Sequence, residues 1–372
     1  RFDLQAFSDH PRVEWHESTA PSLGFAAPLA TGAWLRRLGG DVYLSPFYLQ
    51  PVGAGMPVVL TLHDAMHLVP EVGSPWGIRM RFALALFAAR GADAVITSSQ
   101  FSRAEILRLT GLNAGRLFVV PLGVPAPSPT TAQRPAGVPT GPFALSVGGN
   151  RPHKELTTLA RVWRGFGAEA PLPLVSVGPV DARFPVLAEL GAGPSAVGLG
   201  AVTPAELEWL YANATMLLFP TRYEGFGLPL LEAASRGLPV IASDIPALRE
   251  TGEGIARFVK PGDDVEWAAA IRALAADGAR LHRHAGRLEK RPGMAALRQQ
   301  RALDFRRDLE LVFDARLLER LAIEPRVLDG HAGFGGQGVE RGAGMRREQA
   351  ALLAAVEIQD ADVPGVALHV GA

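Results

Sequence analysis

The chain has 372 residues, enough for two domains of ordinary size, and its 48% hydrophobic and 20% charged residues describe a soluble globular protein with ample core material. Its 37 basic and 37 acidic residues cancel to a formal net charge of 0, which gives no support to a nucleic-acid partner and leaves any phosphate or membrane contact to local patches. With no cysteine, disulfides and thiolate metal sites are excluded and a reducing compartment is expected, while no apolar run approaches the roughly 20 residues of a membrane helix.

In chain order, Asp41-Val42-Tyr43-Leu44 and Val58-Val59-Leu60-Thr61-Leu62 read as buried strands bounded by Pro and Gly. Ile78 to Ala92 has helical periodicity, and Ala94-Val95-Ile96-Thr97 is the next strand. Ser99 caps a helix running to Leu109, and Leu117-Phe118-Val119-Val120 is a further strand. From Pro121 to Pro142 the text turns to Pro, Gly, Thr and Ala without a period, which is linker composition.

A second alternating series follows, with strands at Phe143 to Val147, Leu172 to Val177, Met216 to Phe219, Val240 to Ser243 and Arg257 to Val259. Its helices fall at Glu155–Phe166, Pro204–Ala212, Pro229–Arg236 and Asp264–Ala276. Alternation of this kind builds parallel sheets covered on both faces, so the expected fold is α/β, with two Rossmann-like, doubly wound domains facing across a cleft. The expected division is a first domain at 1–125, a linker at 126–141, a second domain at 142–287 and an atypical tail at 288–372. That tail reads as a helical extension with a disordered end or as text that has left its reading frame.

Chemistry concentrates where a strand ending Leu218-Phe219-Pro220 meets Thr221-Arg222-Tyr223-Glu224-Gly225-Phe226-Gly227 and then a helix beginning near Leu228-Pro229. Pro229 suits the first helical position and Gly237 the position after the helix end. Backbone N–H groups at Gly227 and the positive end of the helix dipole make an anion site, which glycines at 225 and 227 open to a close-approaching ligand. Glu224 and Glu232 bracket that site, placed to accept hydrogen bonds from hydroxyls on either side of a diphosphate. Read singly, they are equally a loop surface charge and a helix N-terminal charge. Lys154 opens a helix after a Gly-Gly-Asn turn and is one of three lysines among 37 basic residues, the others being Lys260 and Lys290. Thr61-Leu62-His63-Asp64 follows a buried strand at the sheet edge where open α/β folds bind ligands. His67, His153, His282 and His284 show no metal-ligand spacing. Arg79, Arg81 and Arg90 on the Ile78–Ala92 helix are either a solvated face or contacts to anionic lipid.

The E-G-F-G-L-P-x-x-E-A block, the following G-x-P-V-I-A-S and Phe258-Val259-Lys260-Pro261-Gly262-Asp263 resemble the retaining glycosyltransferases of family 4, which have the GT-B fold. Ser146-Val147-Gly148-Gly149-Asn150-Arg151-Pro152-His153-Lys154-Glu155-Leu156 is similar to that family's V-G-x-x-x-P-x-K-x-L segment. Leu199-Gly200 with Glu206-Leu207 through Leu210-Tyr211-Ala212-Asn213-Ala214 is similar to its L-G-x-V…L-x-x-L-Y-x-x-A segment, and T-x-H-D is met at Thr61 to Asp64. The resemblance covers roughly residues 41–287. It implies that the family's first strand and Gly-rich loop precede Arg1 and that the family's C-terminal helix is not recognisable after Arg287, so the chain is expected to be truncated at its front.

The resemblance implies that Glu232 meets the ribose, Glu224 the donor sugar, and Gly225, Phe226, Gly227 and Leu228 the sugar and diphosphate. Lys154 would neutralise the diphosphate beside Asn150, helped by Arg151, and the backbone near Leu199 and Val202 would hold the base. His63 would lie near the donor sugar with Asp64 orienting it or meeting the acceptor, and Ser45 and Ser98 would line the acceptor side. The implied activity is retaining, metal-independent hexosyl transfer without a cofactor, best matched by mannose from GDP-mannose. The implied acceptor is a glycan or lipid-linked molecule, in the cytoplasm or on the inner face of its membrane, with no nucleic-acid partner. A catalytically silent relative and a two-lobed sugar-binding protein are the competing expectations.

Overall fold

The computed structural model describes residues 14–16, 18, 26–124, 132–184, 195–276 and 367–369. These form two α/β units divided between Gly123 and Val124, with Val69–Ser74 grouped with the second. Part of the expected linker and nearly all of the expected tail lie outside the described residues. The exception in the tail is Ala367–His369, a strand pairing antiparallel with β1 (Glu14–His16) that the sequence reading did not pick out.

In the first unit α1 (Ala27–Leu38) precedes β2 (Tyr43–Ser45) and β3 (Val58–Thr61), then α2 (Trp76–Ala88), β4 (Ala94–Thr97), α3 (Gln100–Thr110) and β5 (Leu117–Val119). All four strands of this sheet are parallel, in the sequential order β2-β3-β4-β5. Leu60 and Val95 from its middle pack on Phe82 and Leu86 of α2 and Ile106 of α3. The cap expected at Ser99 is present: its Oγ accepts from the Ser102 N–H at 2.9 Å, and Gly111, at φ 62°, ends α3 in the left-handed region.

The second unit runs β6 (Ala144–Val147), α4 (Leu156–Phe166), β7 (Leu174–Val177), β8 (Ala196–Gly200), α5 (Pro204–Asn213), β9 (Met216–Phe219), α6 (Leu228–Ser235), β10 (Val240–Ser243), α7 (Pro246–Gly252), β11 (Ala256–Val259) and α8 (Asp264–Ala276). Its six strands are parallel in the order β11-β10-β9-β6-β7-β8. The chain winds outward from β6 to β8, then returns beside β6 and winds the other way. That reversal leaves a crevice beyond the carboxyl ends of β6 and β9, the place where open α/β sheets take ligands.

Helices cover the sheet, so its strands read as unbroken apolar runs rather than alternating ones; β9 and β10 are buried at every residue. Leu159 and Trp163 of α4 and Trp267 and Ile271 of α8 close one core with Ala144, Met216, Leu218 and Ile241. Each of the large aliphatic side chains among them contributes about 1.5–3 kcal/mol of transfer free energy. The strand β8 was not read from sequence because Ala-Val-Gly-Leu-Gly carries two glycines, and α7 was missed because it is only 7 residues long. α4 starts at Leu156 because Pro152–Lys154 forms a separate 3-10 turn and Glu155 sits between them at φ 45°.

Candidate functional site

The two loops at the β6–β9 switch point carry the motifs singled out in the sequence. β6 runs into Gly148-Gly149-Asn150-Arg151 and the Pro152–Lys154 turn, and β9 runs into Pro220 through Gly227 ahead of α6. Backbone bonds stitch the loops together. The His153 carbonyl accepts from the Arg222 N–H at 2.7 Å and from Thr221 Oγ1 at 3.0 Å, while the Thr221 N–H donates to Ser243 Oγ at 2.8 Å. The result brings Lys154 Nζ to 2.6 Å from Glu224 Oε1, with side chains 24% and 11% exposed. Two residues 70 positions apart in sequence therefore meet as a half-buried ion pair.

Beside that pair lies the N-terminus of α6. Gly227 caps it at φ 96°, ψ 48°, a left-handed conformation that a Cβ-bearing residue resists, and an added Cβ would come within 2.4 Å of Leu248 Cδ2. Helix α6 starts at Leu228, so Pro229 is its second residue rather than the first, and it still forfeits only an N–H that the helix would not use. Thr251 Oγ1 donates to the Phe226 carbonyl at 2.9 Å and so pins the loop from α7. Backbone N–H groups of Gly227 and Leu228 at the positive end of α6 are the chemistry of an anion site.

Glu232 is half-buried one turn into α6, and its Oε2 accepts from the Tyr211 hydroxyl at 2.6 Å. Tyr211 is 2% exposed on α5, and the Arg236 guanidinium lies 5.2 Å over its ring while pairing with Glu208. The carboxylate is thus aimed by a buried phenol that is itself packed in place. Sequence reasoning quoted Tyr211 as part of a motif and gave it no role; a Tyr on the helix preceding β9 was the only signal.

Other expected residues take quieter positions. Asn150 is 3% exposed, and its Nδ2 donates to the Asp181 and Phe184 carbonyls while its Oδ1 accepts from the Asp181 N–H at 2.6 Å. Both amide hydrogens are committed to that loop, so the Asn150 side chain is a backbone tie, and its expected donor contact is left to its main chain. Asp181 itself is held at about 2 by hydrogen bonds from the Arg183 side chain and backbone. Arg151 is exposed at the start of the Pro152–Lys154 turn. Leu199, at the end of edge strand β8, and Val202 just beyond it are half-buried, two strands from the switch point.

In the first unit, the His63 carbonyl accepts from Thr97 Oγ1 and Ser98 Oγ, both at 3.2 Å, and Asp64 Oδ1 accepts from the Met66 N–H at 2.8 Å. Asp64 therefore caps the Met66–Leu68 turn. Ser98 and Ser45 are each 2% exposed, and Ser45 Oγ donates to the Phe47 carbonyl at 2.7 Å. Their hydroxyls donate to neighbouring backbone carbonyls in this structure.

Sequence reasoning missed one arrangement entirely. Glu155 is 2% exposed, the one non-glycine residue at positive φ among the described residues, and its Oε1 accepts from Arg222 Nε. Its Oε2 is buried with no hydrogen-bond partner among the described residues. The Glu155–Arg222 and Lys154–Glu224 pairs join the same two loops side by side. Arg222→Ala is expected to leave this carboxylate buried without its bonded cation and to cost about 1–3 kcal/mol. Glu155→Asn removes the charge and suits the left-handed backbone, so it should cost less. Thermal denaturation checks the order, and a larger loss in Glu155→Asn than in Arg222→Ala would rule it out.

Among the described residues no group of three or more His, Asp or Glu side chains is placed to hold a metal ion, and no helix is long and apolar enough to cross a membrane. Residues 141–277 match the family described as Glycosyl transferases group 1, and residues 3–126 match Glycosyltransferase Family 4. O-antigen chain mannosyltransferase B of Escherichia coli is 30% identical over 250 residues, spanning 63% of this chain and 65% of that protein. O-antigen chain mannosyltransferase RfbU of Salmonella typhimurium is 31% identical over 135 residues, 36% of this chain and 38% of its own length. The chain thus spans less than two thirds of these relatives. Among solved structures, HepE of Anabaena, crystallised in complex with UDP, aligns with a TM-score of 0.57 at 20% identity, covering 82% of this chain and 84% of that one. Two parallel-sheet α/β units with this likeness define the GT-B fold. The chain belongs to the family 4 glycosyltransferases, with a group 1 domain as its second unit.

Proposed function

We propose that this chain is a retaining hexosyltransferase that moves mannose from GDP-mannose to a glycan or lipid-linked acceptor in bacterial polysaccharide synthesis, working in the cytoplasm. The observation that carries the reading is the Lys154–Glu224 pair set against the N-terminus of α6 at the switch point. A cation and backbone donors suit a departing diphosphate, and adjacent carboxylates suit the hydroxyls of a sugar and a ribose. The mannosyltransferase names of both O-antigen relatives support the choice of sugar.

In this reading Lys154, aided by exposed Arg151 and the N–H groups of Gly227 and Leu228, takes up the charge that builds as the C1–O bond to the diphosphate breaks. Gly225 and Phe226 supply backbone along the donor. Glu224 accepts from the sugar's hydroxyls and Glu232 from the ribose, with the base near Leu199 and Val202. The new glycosidic bond forms on the face from which the diphosphate leaves, and the acceptor's proton passes to a donor phosphate oxygen. Lys154 does the electrostatic work that a divalent cation does elsewhere, so the rate is expected to be the same with EDTA as without it. The anomeric configuration of the product, read by NMR, is expected to match that of the donor. Inversion, or loss of activity on chelation that a metal restores, would overturn these two elements separately.

A further inference from the structure

α2 is apolar on two faces, and the core uses only one of them. Phe82 and Leu86 are 5% and 1% exposed beneath it. On the opposite side Trp76, Met80, Leu84 and Phe87 are 74%, 42%, 46% and 65% exposed. Nine large hydrophobic side chains are exposed among the described residues, and these four share a single 13-residue helix. At about 100° per residue they fall within an arc of about 80°. Arg79 and Arg81 are both exposed and lie about 60° beyond the two edges of that arc. No acidic residue occurs anywhere in α2, whose sequence is WGIRMRFALALFA.

Single exposed apolar residues are ordinary, but a helix facing water carries polar residues along its outer side. Here the outer side is a continuous strip of Trp, Met, Leu and Phe bordered by cations. An apolar groove on a partner protein would satisfy the strip and leave the two flanking arginines, with no balancing carboxylate, unexplained. An anionic lipid surface satisfies both, with the strip entering the acyl boundary and the guanidinium groups meeting headgroup phosphates. A helix of 13 residues is about 20 Å long, too short to span a bilayer, so it lies in the plane of the interface.

We propose that α2 docks this chain on an anionic membrane surface through Trp76, Met80, Leu84 and Phe87, with Arg79 and Arg81 as its electrostatic rim. Arg90, the third arginine singled out in the sequence, is exposed but already engaged: its Nε donates to the Thr110 carbonyl at 3.1 Å and its guanidinium lies 4.9 Å over the Phe87 ring. The surface belongs to the first unit alone, so the inference stands or falls separately from the donor chemistry of the second.

The test is flotation of the full chain with vesicles of phosphatidylcholine, alone or mixed with phosphatidylglycerol, while Trp emission is followed. The chain is expected to float with the mixed vesicles, to shift its emission to the blue, and to be released by salt. The double variant Trp76→Ser/Phe87→Ser should lower partitioning by about tenfold or more. Arg79→Gln and Arg81→Gln, which leave the apolar strip intact, should each lower it about fivefold. Unchanged far-ultraviolet circular dichroism and an unchanged thermal unfolding transition mark each variant as folded. The proposal is overturned if the wild-type chain does not float, if the double variant floats as well as wild type, or if neutral vesicles bind as tightly as anionic ones. It is equally overturned if sedimentation shows a dimer that the double variant dissolves without any vesicle binding, since a second copy would then cover the strip.

Discussion

Lys154→Ala is expected to lower kcat/KM for a nucleotide-sugar donor by about 10²–10³-fold, the effect of deleting one preorganised donor aimed at developing charge. Two consequences of the geometry combine in that figure. The departing diphosphate loses the ammonium group that neutralises it. Glu224, with a side chain only 11% exposed, also loses the cation 2.6 Å away and becomes an unbalanced negative charge beside an anionic leaving group. The loss should fall mainly on kcat, because the charge being stabilised is larger in the transition state than in the bound donor. Lys154→Arg should restore little, since a planar fork does not reproduce a compact point charge in a site shaped for one. Steady-state kinetics with donor and acceptor varied in turn checks this, and a change of less than about threefold would remove Lys154 from the chemistry.

Glu232→Ala is expected to weaken binding of the nucleoside diphosphate by about tenfold to a hundredfold, the value of one or two hydrogen bonds to a charged group. The supporting partner gives an internal control. Tyr211→Phe leaves the carboxylate in place but removes the 2.6 Å bond that orients Oε2. It should weaken binding by about fivefold, corresponding to about 1 kcal/mol. Calorimetric titration of GDP and UDP into the three proteins measures both effects. Equal affinity in all three would cancel the ribose assignment, while a larger loss in Tyr211→Phe than in Glu232→Ala would make Tyr211 itself the ligand contact.

The parallel sheets were legible because a strand covered on both faces must be apolar at every position, as in Met216–Phe219 and Val240–Ser243, whose expected and observed bounds coincide. Helix starts were legible where a side chain or proline announces them: Ser99 for α3 and Pro204 for α5, the Thr203–Glu206 capping box of α5 being seen only in the structure. What escaped was whatever depends on the order of strands in space. Nothing local says that β9 returns to lie against β6, and without that return Lys154 and Glu224 are two unrelated charges. The same applies to Glu155 and Arg222, 67 positions apart, and to Tyr211 and Glu232.

The side-chain partners of polar residues next to motifs were not legible either. Asn150, Ser45 and Ser98 sit where ligand contacts were expected, yet each is nearly buried and spends its side chain on backbone groups nearby. A buried loop has to satisfy its own N–H and C=O groups before it can serve a ligand, and short amides and hydroxyls are the residues that do this. The exposed strip on α2 was hidden for a different reason. Periodicity marks a helix as apolar, and only the packing of Phe82 and Leu86 reveals that Trp76, Met80, Leu84 and Phe87 are left over.

The central claim is that the switch point of the second unit grips a nucleotide-sugar. Hydrogen–deuterium exchange of the full chain, with and without saturating GDP-mannose, tests it most directly. Slower exchange is predicted in two stretches that are distant in sequence, Gly148 to Glu155 and Thr221 to Glu232, with the protection lost from both in Lys154→Ala. Protection confined to other segments, or a donor that binds and leaves both loops exchanging as before, would contradict it.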